Sequence, residues 1–458
     1  MIETDYLVIG SGAAGMAITD ALLTHTDATV TMIDRRHAPG GHWVDAYPYV
    51  RLHQPSAFYG VDSTPMEQDA IDNTGLNAGY YELANVDDIR SYFWRVMQHR
   101  FLSSGRVRYF PNCDHLGEQR FGSRLTETTW NVRVNRKTVD TTYLEGSIPA
   151  TSPPPFEVAD GVRCVPAGAI ARLDQRPDNF VVIGAGKTAL DTCVWLLEQG
   201  VAPDAICWVK SREGWWLNRK FYQPRTLLPD FYRGVAIQLE AMAQATSIRD
   251  LYTRLEAQRF FLRVDTEMEP SMCRGAVISE SELDLLRRIK NVVRLGHVRK
   301  IGHDTITLEH GEVPTNARTL HIHCAARGLP RPPLRPIFES DRISVQPFAW
   351  GFACYQFAML GAAEALLDND EEKNRLFPPI AYWDSNEDYL TAFLANMVNQ
   401  RACAAHPALA GWAKTSRLNP LGEIGRHSDH PSVIEARERI KRYGVAAAGN
   451  LMSWTRTI

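Results

Sequence analysis

A chain of 458 residues, 45% hydrophobic and 22% charged, is long enough for two or three domains and has the composition of an ordinary globular protein. Its formal net charge of −3 gives no electrostatic case for binding nucleic acid or an acidic membrane. Eight scattered cysteines with no CxxC or metal-type spacing read as small buried hydrophobes, and with a first strand under way by Tyr6, leaving no room for a leader, they imply a cytoplasmic protein.

The first predicted element is a buried strand ending at Val8 and Ile9. A turn with Gly10, Ser11, Gly12, Ala14 and Gly15 follows, then a helix whose apolar face carries Met16, Ile18, Ala21 and Leu22. Strand, glycine turn and helix in this order are the context of a dinucleotide fingerprint. The first glycine permits the turn, the second lets backbone approach a pyrophosphate, and the third lets helix and strand pack closely. The diphosphate then rests on free N–H groups at the positive end of the helix. The second strand, ATVTMID, ends at Asp34, about twenty residues past the turn, where a carboxylate binds a ribose hydroxyl pair. Arg35, Gly40, Gly41, His42 and Trp43 come next. Paired glycines let a backbone lie against a cofactor, and Trp43 is either a wall of that site or a core aromatic. The run at 47–60 offers His53, Gln54 and Ser56 as polar groups, facing either the site or the core. A glutamine amide both donates and accepts, while an unperturbed histidine titrates near neutrality and suits proton transfer.

Residues 107–118 read as a strand, and the proline-rich stretch at 148–158 as a linker. A second fingerprint, NFVVIGAGKTALD, carries Gly184, Gly186, Lys187, Thr188 and Ala189. Its GKT resembles the end of a GxxxxGK[ST] phosphate loop, but the glycine that loop needs is Val181, so the dinucleotide reading stands. Leu190, Val194 and Leu197 form one helix face, closed by Gly200 as C-cap. The next strand, DAICWVK, ends in Lys210, Ser211 and Arg212. Basic residues at that point favour the 2′-phosphate of NADP over NAD; the alternative is a solvated loop end. The tract at 227–289 reads as helices, with a Ser279–Glu282 capping box. The strands NVVRLGHV, TITLEH and TLHIHCAA follow. His321 and His323 share a strand face, but no third ligand stands nearby in sequence, so no metal is expected. The stretch at 346–367 has the length of a membrane span and one formal charge, Glu364. Gln346, Gln356 and Glu364 would be costly in lipid and no basic flank follows, so it reads as a buried helix. About the last 80 residues read as mixed helix and loop.

The two glycine turns and the GGHW at 40–43 resemble the flavin-containing monooxygenases, and more broadly the flavoproteins with two dinucleotide-binding domains. The resemblance covers roughly residues 5–370 and implies an α/β fold of two Rossmann-like domains, the NADPH domain inserted into a discontinuous FAD domain. The expected boundaries are 1–165 and 320–380 for the FAD domain, 166–319 for the NADPH domain and 381–458 for a C-terminal extension. FAD would be held by Gly10, Ser11, Gly12, Ala14, Gly15, Asp34, Arg35, Gly41, His42 and Trp43. The strand at 107–118 would end beside the adenine with Cys113, and Ala326 lies in the turn at 325–329 that crosses back to the FAD domain. NADPH would be held by Gly184, Gly186, Lys187, Thr188, Ala189, Lys210 and Arg212. The family commonly places an asparagine beside the reactive flavin carbon; His53, Gln54 and Ser56 stand in that region here. The family fingerprint F-x-G-x-x-x-H-x-x-x-[FY] is replaced by VRCVPAGAIARL at 162–173, the mark of a divergent branch. The implied activity is hydride transfer from NADPH to FAD, oxygen activation at flavin C4a and oxygen transfer to a small organic substrate. Its partners would be that substrate and molecular oxygen, with no nucleic acid and no membrane span. A flavin oxidase or dehydrogenase without oxygen insertion, and a nucleotide-binding protein without turnover, use the same two sites. A disulfide reductase needs a cysteine pair at the flavin, and the earliest cysteine is Cys113.

Overall fold

The computed structural model describes residues 1–66, 68–143, 145–326, 328 and 330–456. Strand β1 (Ile2–Ile9), helix α1 (Ala13–His25) and strand β2 (Val30–Asp34) open the chain. Every residue of β2 is buried, as expected of a parallel strand covered on both faces. After α2 (Val86–Val96) come β3 (Val107–Pro111), β4 (Cys113–Gly117), β5 (Arg120–Ser123) and the long β6 (Thr129–Asp140). The parallel order is β3-β2-β1-β6, and β5 and β4 continue from the first part of β6 as an antiparallel meander. The single strand expected at 107–118 is thus two. Asn112 at φ 52° turns the chain, and β4 pairs with β5 at the opposite end of the strand order from β3.

The second unit starts earlier and ends later than expected. β7 (Glu157–Val158) and β8 (Cys164–Pro166) precede β9 (Asn179–Ile183), α3 (Lys187–Glu198) and β10 (Ile206–Val209). The chain then builds β11 (Gly214–Asn218), α4 (Leu228–Gln244), α5 (Ile248–Ala257), β12 (Phe261–Leu262), β13 (Met272–Ile278) and α6 (Glu280–Leu286). It closes with β14 (Val292–Val293), β15 (Val298–Ile301), β16 (Thr305–Leu308), β17 (Gly311–Pro314) and β18 (Thr319–His323). The parallel sheet has the order β14-β10-β9-β18-β8. β8 and β18 are therefore its own edge-side strands, and boundaries at 165 and 320 cut through it. Two local readings also change. Part of the tract expected to be helical, 261–278, pairs around β11 as strands, and Gly296 at φ 79° breaks NVVRLGHV into β14 and β15. The Ser279–Glu282 capping box forms, and Gly200 takes φ 82° just past α3.

The chain then returns to the first sheet, where β19 (Arg342–Ser344) pairs with β6. The apolar stretch expected to be a buried helix supplies α7 (Ala353–Leu366). Gly361 brings it against α1, since a Cβ there would lie 2.8 Å from the Cβ of Ala21. Its one charge, Glu364, is buried but meets Lys137 (3.2 Å), Lys373 (2.6 Å) and the Tyr6 hydroxyl (3.1 Å). Among the described residues no helix is long and apolar enough to cross a membrane. Helices α8 (Asp370–Leu376), α9 (Asn386–Ala405), α10 (Pro407–Thr415) and α11 (Pro431–Thr455) form the C-terminal part, with α11 packed along α4 of the second unit.

Candidate functional site

The first glycine turn sits where β1 ends. Gly10 has φ 101°, and a Cβ there would lie 2.3 Å from Thr141 Oγ1; a Cβ on Gly15 would lie 2.0 Å from the Gly10 carbonyl oxygen. Neither position admits a side chain. Gly12 caps α1 without a side-chain hydrogen bond, and no acid stands in the first turn, so the leading N–H groups and the positive helix end are open to an anion. The second glycine stretch closes over this turn. Gly40 N–H donates to the Ser11 carbonyl (2.9 Å), and a Cβ on Gly41 would lie 2.9 Å from Gly12 Cα. Turn and GGHW segment touch backbone to backbone, a cradle that any Cβ would begin to fill.

Asp34 ends β2 beside this cradle, buried. Its carboxylate accepts from Ser11 N–H (2.6 Å), Ser11 Oγ (2.8 Å) and Arg36 N–H (2.8 Å). The expected ribose ligand is therefore also a brace for the turn. Arg35 faces outward to Glu145, and Arg36 is the arginine turned inward, with Nε 2.6 Å from Asp45. His42 is exposed beside Trp43 (ring centroids 5.0 Å), and Trp43 is buried with its indole N–H on the Tyr59 hydroxyl (2.6 Å). Cys113 directs its side chain into the core, leaving only backbone at the Asp34–Pro111 edge.

The second turn repeats the pattern. Gly184 has φ 148°, with Cys324 backbone 3.0 Å from where its Cβ would be, and Gly186 caps α3 with no side-chain bond. Ala325 and Ala326 leave β18 at this point, and Ser147 N–H meets the Gly328 carbonyl (3.1 Å); Arg327 and Leu329 of the expected turn lie outside the described residues. Ala189 is buried in the helix, and Thr188 gives its carbonyl to the Thr192 hydroxyl (2.8 Å). Lys187 turns back along the helix to Asp191, with Glu282 at 3.8 Å. Lys210 is not at a loop surface. It is buried with Glu213 (2.6 Å) and over the Trp208 ring (4.2 Å), and burial lowers its pKa against the pull of Glu213. A phosphate cannot claim it without exposing Glu213, so the expected role of Lys210 is corrected. Arg212 is half-buried at the turn, in a bidentate pair with Asp384 (2.7 and 3.0 Å), a residue that Arg274 Nε also reaches (2.5 Å). No local pattern marked Arg274 or Asp384, since they join Arg212 only across β13 and the start of α9.

Between the two turns runs the segment 41–56. It leaves Gly12 and reaches the second unit, where the Tyr47 hydroxyl donates to Asp191 (2.7 Å) and the Tyr49 hydroxyl meets Thr192 (3.0 Å), with the Tyr49 ring stacked on Trp195. His53 Nδ1 accepts the Val277 N–H (3.2 Å). Desolvation, with the charges of Lys187 and Arg219, holds its imidazole down to about 3. That keeps it neutral, with Nδ1 spent as an acceptor on the Val277 backbone. Ser56 is spent too: its buried hydroxyl donates to the Glu82 carbonyl (3.2 Å) and accepts from Ala84 N–H (2.9 Å). Gln54 is half-buried, and among the described residues no hydrogen bond engages its amide. Below the segment, buried Arg219 pairs with Glu282 (2.7 Å). Desolvation would raise the Glu282 pKa, but Arg219 and Lys187 hold it below the usual carboxylate value. His321 and His323 spend ring nitrogens on Thr315 and on the Arg163 and Ser152 carbonyls.

The family described as NAD(P)-binding Rossmann-like domain matches residues 8–56, the first turn and the segment after it. An uncharacterized protein of Mycobacterium tuberculosis, Rv2000, is 42% identical over 451 residues, 97% of this chain and 83% of its own length. Mb2023 of Mycobacterium bovis, also uncharacterized, matches to the same extent. The open crystal structure of cyclohexanone monooxygenase aligns over 97% of this chain and 98% of that one, with TM-score 0.50 and 12% identity, a likeness of fold. The chain therefore belongs to one family with these mycobacterial proteins, a divergent branch with the two-dinucleotide-domain fold of the flavin-dependent monooxygenases.

Proposed function

We propose that this protein is an FAD- and NADPH-dependent monooxygenase acting on a small organic substrate. One observation carries the reading: a single segment, 41–56, lies against the first glycine turn at Gly41 and against the helix of the second turn at Tyr47 and Tyr49. Two cradles for dinucleotides that share one wall suit electron transfer between two nucleotides. The neighbouring cyclohexanone monooxygenase fold supports the oxygenase form of that transfer. The cradle of Gly12 and Gly41 fits a pyrophosphate laid on the uncapped end of α1, with Asp34 at the ribose; the uncapped end of α3 and Arg212 fit NADPH. Bound FAD supplies the hydride acceptor and the oxygen-reactive carbon. The chain orients and dries the site. Trp43 and Tyr59 give a buried aromatic wall, neutral His53 fixes the segment on Val277, and Gln54 offers a free amide that donates and accepts.

The test is NADPH consumption under isotopically heavy oxygen with a panel of ketones and soft nucleophiles. One labelled oxygen atom in the product, in step with NADPH used, supports the reading. Flavin reduction with hydrogen peroxide as the only oxygen product under every substrate means an oxidase, and absence of NADPH consumption by FAD-loaded protein means a binding protein.

A further inference from the structure

The second cradle has an acid in its mouth. Arg212 follows β10, at the strand end where a Rossmann unit reads the 2′ position of the adenosine ribose. Arg274 reaches the same place from β13, its Nη1 3.9 Å from the Cβ that Gly186 lacks. Both guanidinium groups are spent on Asp384, whose two oxygens take the bidentate geometry a phosphate would take. Their charges hold that carboxyl down to about 2, against its partial burial. Asp384 is fastened from behind. Its carbonyl accepts Cys273 N–H (2.9 Å), its own N–H donates to Asp388 (3.1 Å), and the Trp383 indole lies 3.2 Å from the missing Cβ of Gly275. Two arginines against one carboxylate leave a net positive charge, and all three side chains are partly exposed, so the pair is open to exchange.

We infer that Asp384 is an internal stand-in for the 2′-phosphate of NADPH, and that NADPH binds by displacing it from Arg212 and Arg274, releasing the start of α9 from β13. The inference rests on the reading of the second cradle as an NADPH site and adds Arg274 to it. A tethered carboxylate competes at a fixed effective concentration, so the apparent affinity is the intrinsic one reduced by the fraction of molecules with the acid displaced. The tax falls only on ligands that need the two arginines. NADH, with no 2′-phosphate, gains nothing from their release.

The experiment is calorimetric titration of the full, FAD-loaded chain with NADP⁺, NAD⁺, adenosine 2′,5′-bisphosphate and AMP. Asp384→Asn is expected to bind NADP⁺ and the bisphosphate about tenfold tighter than wild type, as for loss of a partly exposed charge-assisted pair, with NAD⁺ and AMP within twofold. Asp384→Glu should stay near wild type, and Arg274→Ala should remove the gain when combined with Asp384→Asn. On the unaltered protein, saturation with NADP⁺ but not NAD⁺ should speed hydrogen exchange across 382–388, an outcome that does not depend on a variant folding. If wild type prefers NADP⁺ to NAD⁺ while Asp384→Asn gains nothing and exchange at 382–388 is unmoved, the stand-in is overturned and the NADPH site survives. If Asp384→Asn weakens all four ligands alike, Asp384 is only a fastening of α9 and the inference fails. If wild type and Asp384→Asn alike bind NADP⁺ no tighter than NAD⁺, the NADPH reading and the inference fall together.

Discussion

Replacing Asp34 by alanine separates the bracing role seen in the structure from the ribose role proposed for the same side chain. The buried carboxylate accepts three hydrogen bonds from its own chain, two from Ser11 and one from Arg36 N–H. Hydrogen bonds to a charged group are worth about 1.5–3 kcal/mol each. They share one acceptor group and do not add, and alanine leaves buried donors orphaned, so a net loss of about 3–5 kcal/mol is expected. For a domain of this size that lowers the midpoint of thermal unfolding of the FAD-free protein by roughly 6–20 °C. Asp34→Asn has one oxygen, so it keeps an acceptor either for Arg36 N–H or for the two Ser11 donors and sets its NH2 against the other, and about half the loss is expected. Both variants also lose the ribose contact, about 10- to 100-fold in FAD affinity, and the alanine variant loses more because the turn itself loosens. Scanning calorimetry without FAD and flavin titration by fluorescence give the two readouts. A melting temperature unchanged in Asp34→Ala refutes the brace; an unchanged FAD dissociation constant refutes the ribose role.

Gly41→Ala should lower FAD occupancy to a small fraction of wild type. It places a Cβ 2.9 Å from Gly12 Cα at a residue with φ 60°, and flavin absorbance per purified protein measures it. Arg212→Ala should raise the dissociation constant of NADP⁺ about tenfold and leave NAD⁺ unchanged, whereas Lys210→Ala should lower stability by about 1–3 kcal/mol, because buried Glu213 keeps only the longer contact to Arg294 (3.4 Å); equal loss of NADP⁺ affinity with intact stability in Lys210→Ala would restore Lys210 as a ligand. His53 binds a proton near pH 3 when folded and near 6.5 when unfolded. The unfolded state holds the extra proton between those values, so this group alone lowers stability by about 1.4 kcal/mol per pH unit, at most, as pH falls through that window. In urea unfolding, His53→Gln should therefore gain on wild type below pH 6.5, and parallel profiles count against the buried neutral imidazole.

The parts of the fold written in local pattern were legible. Both glycine turns, the helix after each, Asp34 at the end of β2 and the Ser279–Glu282 box are short-range signals, each fixed by turn geometry or capping within a few residues. The errors lie where tertiary pairing overrides pattern. Residues 272–278 become a strand because β11 offers them an edge, and β18 joins the second sheet through its pairing with β9 and β8. Side-chain direction was less legible still. Adjacent Arg35 and Arg36 divide between surface and interior, and Lys210 and Arg212, two residues apart, meet partners at 213 and 384. No spacing rule connects Arg212 to a residue far along the chain.

The segment 41–56, the shared wall of the proposed sites, was the hardest to read. It is irregular, so no period reports which side chains face which way, and its contacts come from two units at once. Its polar groups divide by physical fate. Ser56 is consumed by the 82–84 backbone and His53 by Val277, and both are desolvated, which fixes geometry at the cost of chemistry. The charges that hold the second unit beneath it are paired, Arg219 with Glu282 in the interior and Lys187 with Asp191 partly exposed. Such pairs add little net stability compared with apolar packing, but either partner left alone is expensive, so a sheared interface is penalised more than an aligned one is rewarded. That asymmetry suits two nucleotide sites whose reacting ends must meet within contact distance, where a misplacement of about 1 Å costs roughly 100-fold in rate. On this argument His53 and Ser56 belong to the frame by their hydrogen bonds, while among the described residues no hydrogen bond engages the Gln54 amide; under the proposed function, Gln54→Ala is therefore expected to uncouple NADPH use from product while leaving FAD bound.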